Sequence, residues 1–512
     1  MTSATPRPSR LVRAFTMVLA TGALAVASTA SAGVLGKDAE DVCARIDAPG
    51  RVTLVAARGE TAQVLARVRR VRGSVCDRFG ATVDAILPEG AARALRDETV
   101  TVLPAPRPYA LGASEGVATT NADVWQERGL AGAGVKVAVI DLGFGGLADA
   151  QAAGYLPRTA VSVDYCSGNF SGERHGTAVA EVVADVAPAT QLYLICVDDL
   201  VSLARAAAYV VANRIPIVNH SVGWFNTGPG DGSGGPGTPD RIIADARTHG
   251  VLWINAAGNE VRHHWRGTFV DADRDRFLDF APGDDDNYLF VTPGAGVCVF
   301  LRWYEWPSAR TNYVLSLEDD ATGLTAVTAQ AEGEQPLRTA CWGNPRFWNP
   351  EPAAIRIRIQ APAGGGTAPL ELFVEGTREI EHFTAAGSIA DPATSPKAFA
   401  VGAICWQTGE LEPYSSQGPT IDGRTKPDLV APDSVSSPTY GDFSRCGSSG
   451  FTGTSAAAPH VAGAAALVKQ RYPRYTPEKL ESYLRRNAHD LGTTGPDNLY
   501  GAGSLFLPST PN

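Results

Sequence analysis

Three short strings in the 512-residue chain set reactive side chains beside glycines. Asp141 ends the apolar run 135–140 and is followed by Leu142-Gly143. His175 opens the string Gly176-Thr177-Ala178-Val179-Ala180, and Ser455 stands within Gly453-Thr454-Ser455-Ala456-Ala457-Ala458-Pro459-His460. A carboxylate, an imidazole and a hydroxyl are the parts of a nucleophilic hydrolase. A serine hydroxyl attacks poorly until a base accepts its proton, and the imidazole works best when a third group fixes its tautomer. The local patterns also suggest where each group sits. Asp141 belongs at the carboxyl end of a buried strand, where open α/β sheets keep their sites. His175 and Ser455 each belong at a helix start, with a glycine that admits another segment closely. Pro459 reads as part of the first turn of the Ser455 helix, where its missing N–H costs little.

In the order Asp, His, Ser, these strings resemble the subtilisin-like serine peptidase family, and the resemblance runs over residues 121–260 and 387–505. It implies that Ser455 is the nucleophile, His175 the general base and later acid, and Asp141 the group that orients the imidazole. The string Ala256-Ala257-Gly258-Asn259 shares the resemblance, which makes the Asn259 amide a donor to the oxyanion with the Ser455 N–H. The string Asn219-His220-Ser221-Val222-Gly223 resembles the family's edge segment. Ser221, Val222 and Gly223 are thereby implied to bind an extended polypeptide substrate as an added strand. Two positions depart from the family pattern. Leu142 replaces a common hydroxyl residue and removes one hydrogen bond near the carboxylate, while Trp224 replaces something small and is expected to narrow the adjoining subsites.

The elements that must hold these groups are legible as texture. After residue 132, short apolar runs at 135–140, 191–196, 215–219 and 251–255 alternate with helical stretches, which predicts an α/β, doubly wound, mostly parallel sheet. Between 265 and 383 the pattern changes to strand-like segments at 288–291, 297–303, 354–359 and 370–374, which predicts an inserted β-sandwich. The α/β texture returns at 398–404 and closes with a helix over 455–471. Upstream, strands at 52–56, 82–87 and 99–103 with helices at 61–71 and 89–96 form an α+β unit that resembles a subtilisin-type propeptide. The expected organisation is a signal peptide at 1–32, a propeptide or inhibitor-like domain at 33–115, catalytic parts at 116–264 and 386–512, and the inserted domain at 265–385.

Net charge is −10, and beyond the N-terminus the arginines cluster only at Arg67, Arg69, Arg70 and Arg72, on a predicted helix. This is no nucleic-acid footprint. Arg7, Arg10 and Arg13 precede an apolar run at 14–27 and then Ala30-Ser31-Ala32, the layout of a secretory leader. No other run reaches the roughly 18 residues of a membrane span. The expectation is a secreted protein, extracellular or periplasmic where the host has an outer membrane. Eight cysteines without paired metal-ligand spacing then read as disulfides. Local pairing predicts Cys43 with Cys76, Cys166 with Cys196, Cys298 with Cys341 and Cys405 with Cys446, although sequence alone leaves other connectivities open.

The expected partners are polypeptide substrates and the chain's own propeptide as an intramolecular inhibitor, with self-cleavage between Pro104 and Gly116 after Tyr109 or Leu111. No cofactor is required. Asp271, Asp273 and Asp275 have calcium-loop spacing, but Arg276 and Pro282 break that pattern, so a solvated acidic turn is the preferred reading. His460 reads as a packed helix residue, and the adjacent His263 and His264 lack a third metal ligand. The alternative function is an inactive scaffold of the same family that binds other molecules through its insertion.

Overall fold

The computed structural model describes residues 51–57, 60–88, 90–95, 100–104, 114–328, 334–345 and 351–509. The expected leader, Cys43, Tyr109 and Leu111 lie outside these residues. The chain divides into two units, one up to Tyr109 and one from Ala110 onward.

In the first unit a four-stranded antiparallel sheet runs in the order Ser74–Phe79, Thr82–Ile86, Arg51–Ala56, Val100–Pro104. Alternation buries Val52, Leu54 and Ala56 on one face, with Val83 and Ala85 beside them. The helix Thr61–Arg70 adds Val64 and Val68, one turn apart, to the same core. Its three arginines, Arg67, Arg69 and Arg70, gather in the last turn, where the helix dipole favours cations. Sequence reading misses the strand Ser74–Phe79. It is a sheet edge with an irregular register between Val75 and Asp77, so no simple alternation marks it.

The second unit is built on a seven-stranded sheet in which every pairing is parallel. Its order is Leu429–Asp433, Ala398–Cys405, Leu252–Ala256, Ile217–His220, Lys136–Asp141, Gln191–Cys196, Val161–Asp164. The first strand in sequence, Lys136–Asp141, therefore lies between strands that wind away from it on both sides. A crevice opens at the carboxyl ends of such a switch point. The helices His175–Val186 and Thr454–Arg471 are buried along most of their length, in one core with the sheet. Among the described residues no helix is long and apolar enough to cross a membrane.

Two four-stranded antiparallel sheets form the insertion. One contains His264–Gly267, Leu370–Glu375, Gly296–Trp303 and Leu337–Gly343; the other contains Asn287–Val291, Ala353–Gln360, Val314–Asp319 and Thr325–Thr328. Their inner faces share a core that includes Val299, Leu301, Trp303, Leu315, Ile355 and Ile357. Trp303 and Trp342 are packed there and do not form an exposed binding face.

Three disulfides join Cys166 to Cys196, Cys298 to Cys341 and Cys405 to Cys446, the local pairings expected from the sequence. Cys298 and Cys341 stand directly opposite one another on paired strands.

A buried ionic cluster fastens the insertion to the parallel-sheet part of the chain. Arg302 of the insertion donates to Glu371 Oε2 at 2.8 Å and to Asp391 Oδ2 at 2.7 Å, where Asp391 belongs to the segment leading into the strand Ala398–Cys405. Arg302→Met should cost about 3–5 kcal/mol, because it strands two buried carboxylates rather than removing one contact. Urea denaturation in an inactive background measures this, and a loss below about 1 kcal/mol would mean that the carboxylates are effectively solvated.

Candidate active site

Asp141 is fully buried at the end of its strand, and its Oδ1 accepts from His175 Nδ1 at 2.8 Å and from the Leu142 N–H at 2.8 Å. Gly176 makes this approach possible. A Cβ there would lie 2.5 Å from the Gly143 carbonyl oxygen and 2.8 Å from Asp141 Cβ, so any side chain would push the helix off the turn. Among the described residues no group hydrogen-bonds Asp141 Oδ2. Burial lowers the His175 pKa, but the charge and hydrogen bond of Asp141, joined by the charge of Glu173, outweigh burial and hold it above its ordinary 6.5.

Ser455 is the second residue of its helix. Its hydroxyl donates to the Ser221 carbonyl at 3.3 Å and not to His175, while Ser221 Oγ donates to the Ser455 carbonyl at 3.2 Å. Pro459 explains the second bond. The helix begins at Thr454, so Pro459 lies beyond the first turn, contrary to the sequence reading. Lacking an N–H, it cannot pair with the carbonyl of Ser455 four residues back, and that carbonyl is left for Ser221. Gly453 before the helix has φ 107°, a backbone region that favours glycine. The Gly453 N–H donates to the Tyr414 hydroxyl at 3.3 Å, and that hydroxyl bonds the buried Asp433, whose carboxyl burial pushes up to about 8. Sequence reading gives no hint of this support, since neither residue lies near a motif.

Asn259 stands across from the nucleophile. Its Oδ1 accepts from the Thr454 N–H at 2.9 Å and from Thr454 Oγ1 at 3.2 Å, which leaves Nδ2 as the atom that can donate into the cleft. The cleft itself, about 440 Å³, is lined by His175, Ser221, Val222, Gly223, Asn259 and Ser455 together. Residues missed at the sequence level join them: Glu173, Phe225, Glu260, Glu375 and Tyr440.

Other expectations resolve differently. Trp224 does not line the cleft; its ring stacks on His220 and packs against the core behind the sheet, while its neighbour Phe225 faces the opening. His220 is buried, bonds Asn255 Oδ1 at 2.7 Å and is pushed down to about 4 by burial, so it stays neutral. His460 is likewise buried, accepts no role in the cleft, and bonds Ser114 Oγ at 2.6 Å and the Ala456 carbonyl at 2.8 Å. Asp271, Asp273 and Asp275 do gather in one turn of the insertion. Both oxygens of Asp271 accept backbone N–H groups, from Asp275 at 3.0 Å and Arg276 at 3.1 Å, so the loop partly satisfies itself. His263 and His264 bond the carbonyls of Arg378 and Thr384 respectively.

Comparison with known proteins points to one family. The model of the Subtilase family matches residues 319–503, a stretch that holds Ser455 but not Asp141 or His175. Serine protease AprX of Bacillus subtilis (strain 168) is 38% identical over 135 residues, covering 23% of this chain and 30% of AprX. Subtilisin BL of Lederbergia lenta is 32% identical over 200 residues, covering 38% of this chain and 66% of that protein. The match thus spans under a third of AprX. Among solved structures, the CspB protease of Clostridium perfringens is similar in fold, with TM-score 0.54 and 17% identity over 76% of this chain and 97% of that one.

Proposed function

Because this chain is a member of the subtilase family, we propose that it is a serine endopeptidase that cuts extended polypeptides through an acyl-enzyme. The observation that carries the reading is the 2.8 Å bond from Asp141 to His175 on the wall of the cleft that also holds Ser455. Substrate backbone pairs along Ser221, Val222 and Gly223. The Ser455 hydroxyl leaves the Ser221 carbonyl, turns to His175 Nε2, gives it the proton and attacks the substrate carbonyl carbon. Asn259 Nδ2 and the Ser455 N–H receive the oxyanion, His175 returns the proton to the leaving amine, and water repeats the cycle on the ester. Apo hydroxyl–imidazole bonds are often loose and tighten only with substrate, so the resting position of Ser455 is compatible with this cycle.

The proposal extends to the rest of the chain. The protein is exported, and its first unit serves as a propeptide and intramolecular inhibitor. No cofactor enters the chemistry; calcium, if the insertion takes it at Asp271, Asp273 and Asp275, serves that turn. The rival reading, an inactive scaffold that binds through the insertion, draws on the bond that holds Ser455 to Ser221. A fluorophosphonate probe decides between them, since only an activated serine reacts. Labelling mapped to Ser455 is the expected result, and an unlabelled, folded protein that cleaves no peptide would favour the scaffold.

A further inference from the structure

The cleft is lined by three carboxylic acids, Glu173, Glu260 and Glu375, and among the described residues by no lysine or arginine. Glu260 follows Asn259 directly and is 7% exposed. Its Oε1 accepts the Asn259 N–H at 3.1 Å, whereas its buried Oε2 has no hydrogen-bond partner, with His263 Nδ1 3.5 Å away. A buried carboxylate oxygen without a donor is costly unless a ligand supplies one.

The second acid comes from elsewhere in the chain. Glu375 ends the insertion's strand Leu370–Glu375 and reaches the same cleft. It is open to solvent as a residue, yet enough protein surrounds its carboxyl that desolvation, followed by the charge of Glu260, pushes it up to about 8. The charge of His263 offsets this only in part, and two carboxyls that still obstruct one another's ionisation favour a further positive charge beside them.

Small residues line the cleft beside them. Gly223, Gly258 and Ala390 line the same cleft, and both glycines pack onto Ala390: a Cβ on either would come within 3.4 Å and 3.0 Å of Ala390 Cβ respectively. Phe225 adds an apolar side. A long stem with a charged tip suits such a lining, the methylenes lying on apolar surface and the head reaching the acids.

We propose that Glu375 and Glu260 together select a lysine or arginine side chain on the acyl side of the cut bond, so that the inserted β-sandwich sets substrate preference. This rests on the endopeptidase reading, and it replaces the expectation of self-cleavage after Tyr109 or Leu111.

The test compares extended peptide amides that differ only in the acyl-side residue, Lys, Arg, Phe, Leu or Glu, on enzyme matured from the full chain. The kcat/KM for Lys or Arg should exceed that for Phe or Leu by about tenfold or more. Glu375→Gln should shrink that ratio by about tenfold, and Glu375→Lys should lift the Glu substrate above the Lys substrate. In parallel, fluorescence reports binding of p-aminobenzamidine, an aromatic cation, to the wild-type protein and to Glu375→Gln, where it should weaken about tenfold. A preference for Phe or Leu that Glu375→Gln leaves unmoved overturns the proposal while the peptidase reading stands. Cation binding that depends on Glu375, with no hydrolysis and no fluorophosphonate labelling, retains the acidic pocket and overturns the peptidase reading.

Discussion

Ser455→Ala should lower kcat by about 10⁶ without unfolding the protein, a magnitude carried over from subtilisin rather than obtained from this geometry. Removing the hydroxyl leaves the fold almost untouched. Ser455 Oγ makes one hydrogen bond, to the Ser221 carbonyl, while the bond between Ser221 Oγ and the Ser455 carbonyl survives the change. What is lost is the only atom that can form the ester. The residue still leaves an oxyanion site and a binding groove, so weak water-driven hydrolysis about 10³-fold above background is expected to remain. The same variant bears on maturation. Wild-type protein should gain a new N-terminus between Pro104 and Gly116, and Ser455→Ala should stay joined there. Burst kinetics and N-terminal sequencing read both effects. Activity near wild type sinks the assignment of the nucleophile, and cleavage of the purified variant at the same bond points to a second protease.

Asp141→Asn should cost about 10⁴ in kcat and also move the pH profile, which a purely structural aspartate would not do. An amide in place of the carboxylate can hold the imidazole in the wrong tautomer and no longer balances the imidazolium. The sign of the pH effect follows from the causes acting on His175. The base works when neutral, so activity is lost as pH falls through the His175 pKa, which in the wild type lies above 6.5. With the charge and hydrogen bond of Asp141 gone, desolvation dominates and draws the pKa down. The acid limb of kcat/KM should therefore shift to lower pH while the plateau drops. A plateau within tenfold of wild type, with the limb unmoved, would remove Asp141 from the mechanism.

Much of this site could be read from the sequence because its parts are local. Lys136–Asp141 is buried on both faces, so its apolar run betrays it, and the glycine beside His175 answers to the close approach of Gly143 and Asp141. Features set by distant partners could not be read that way. Glu375 reaches the cleft only because the strand Leu370–Glu375 pairs with Gly296–Trp303 inside the insertion, and nothing around residue 375 signals it. The neighbours Trp224 and Phe225 show the same limit. Both are bulky and aromatic, but the register of the chain turns one toward the core and the other toward the opening. Pro459 lies in the second turn and not the first, although the expected helix start at 455 is within one residue of the observed start at Thr454.

The order in which the chain presents its parts bears on safety during synthesis. Asp141 and His175 emerge before the insertion, whereas Ser455 and two strands of the parallel sheet, Ala398–Cys405 and Leu429–Asp433, follow it. At about 5–20 residues per second, a growing chain carries the base and its orienting partner for tens of seconds before the nucleophile exists. A ribosome-bound or prematurely released fragment therefore lacks the one atom that attacks. On the proposed mechanism, neither nascent neighbours nor the chain itself would be cut by this serine until the full sheet has been delivered.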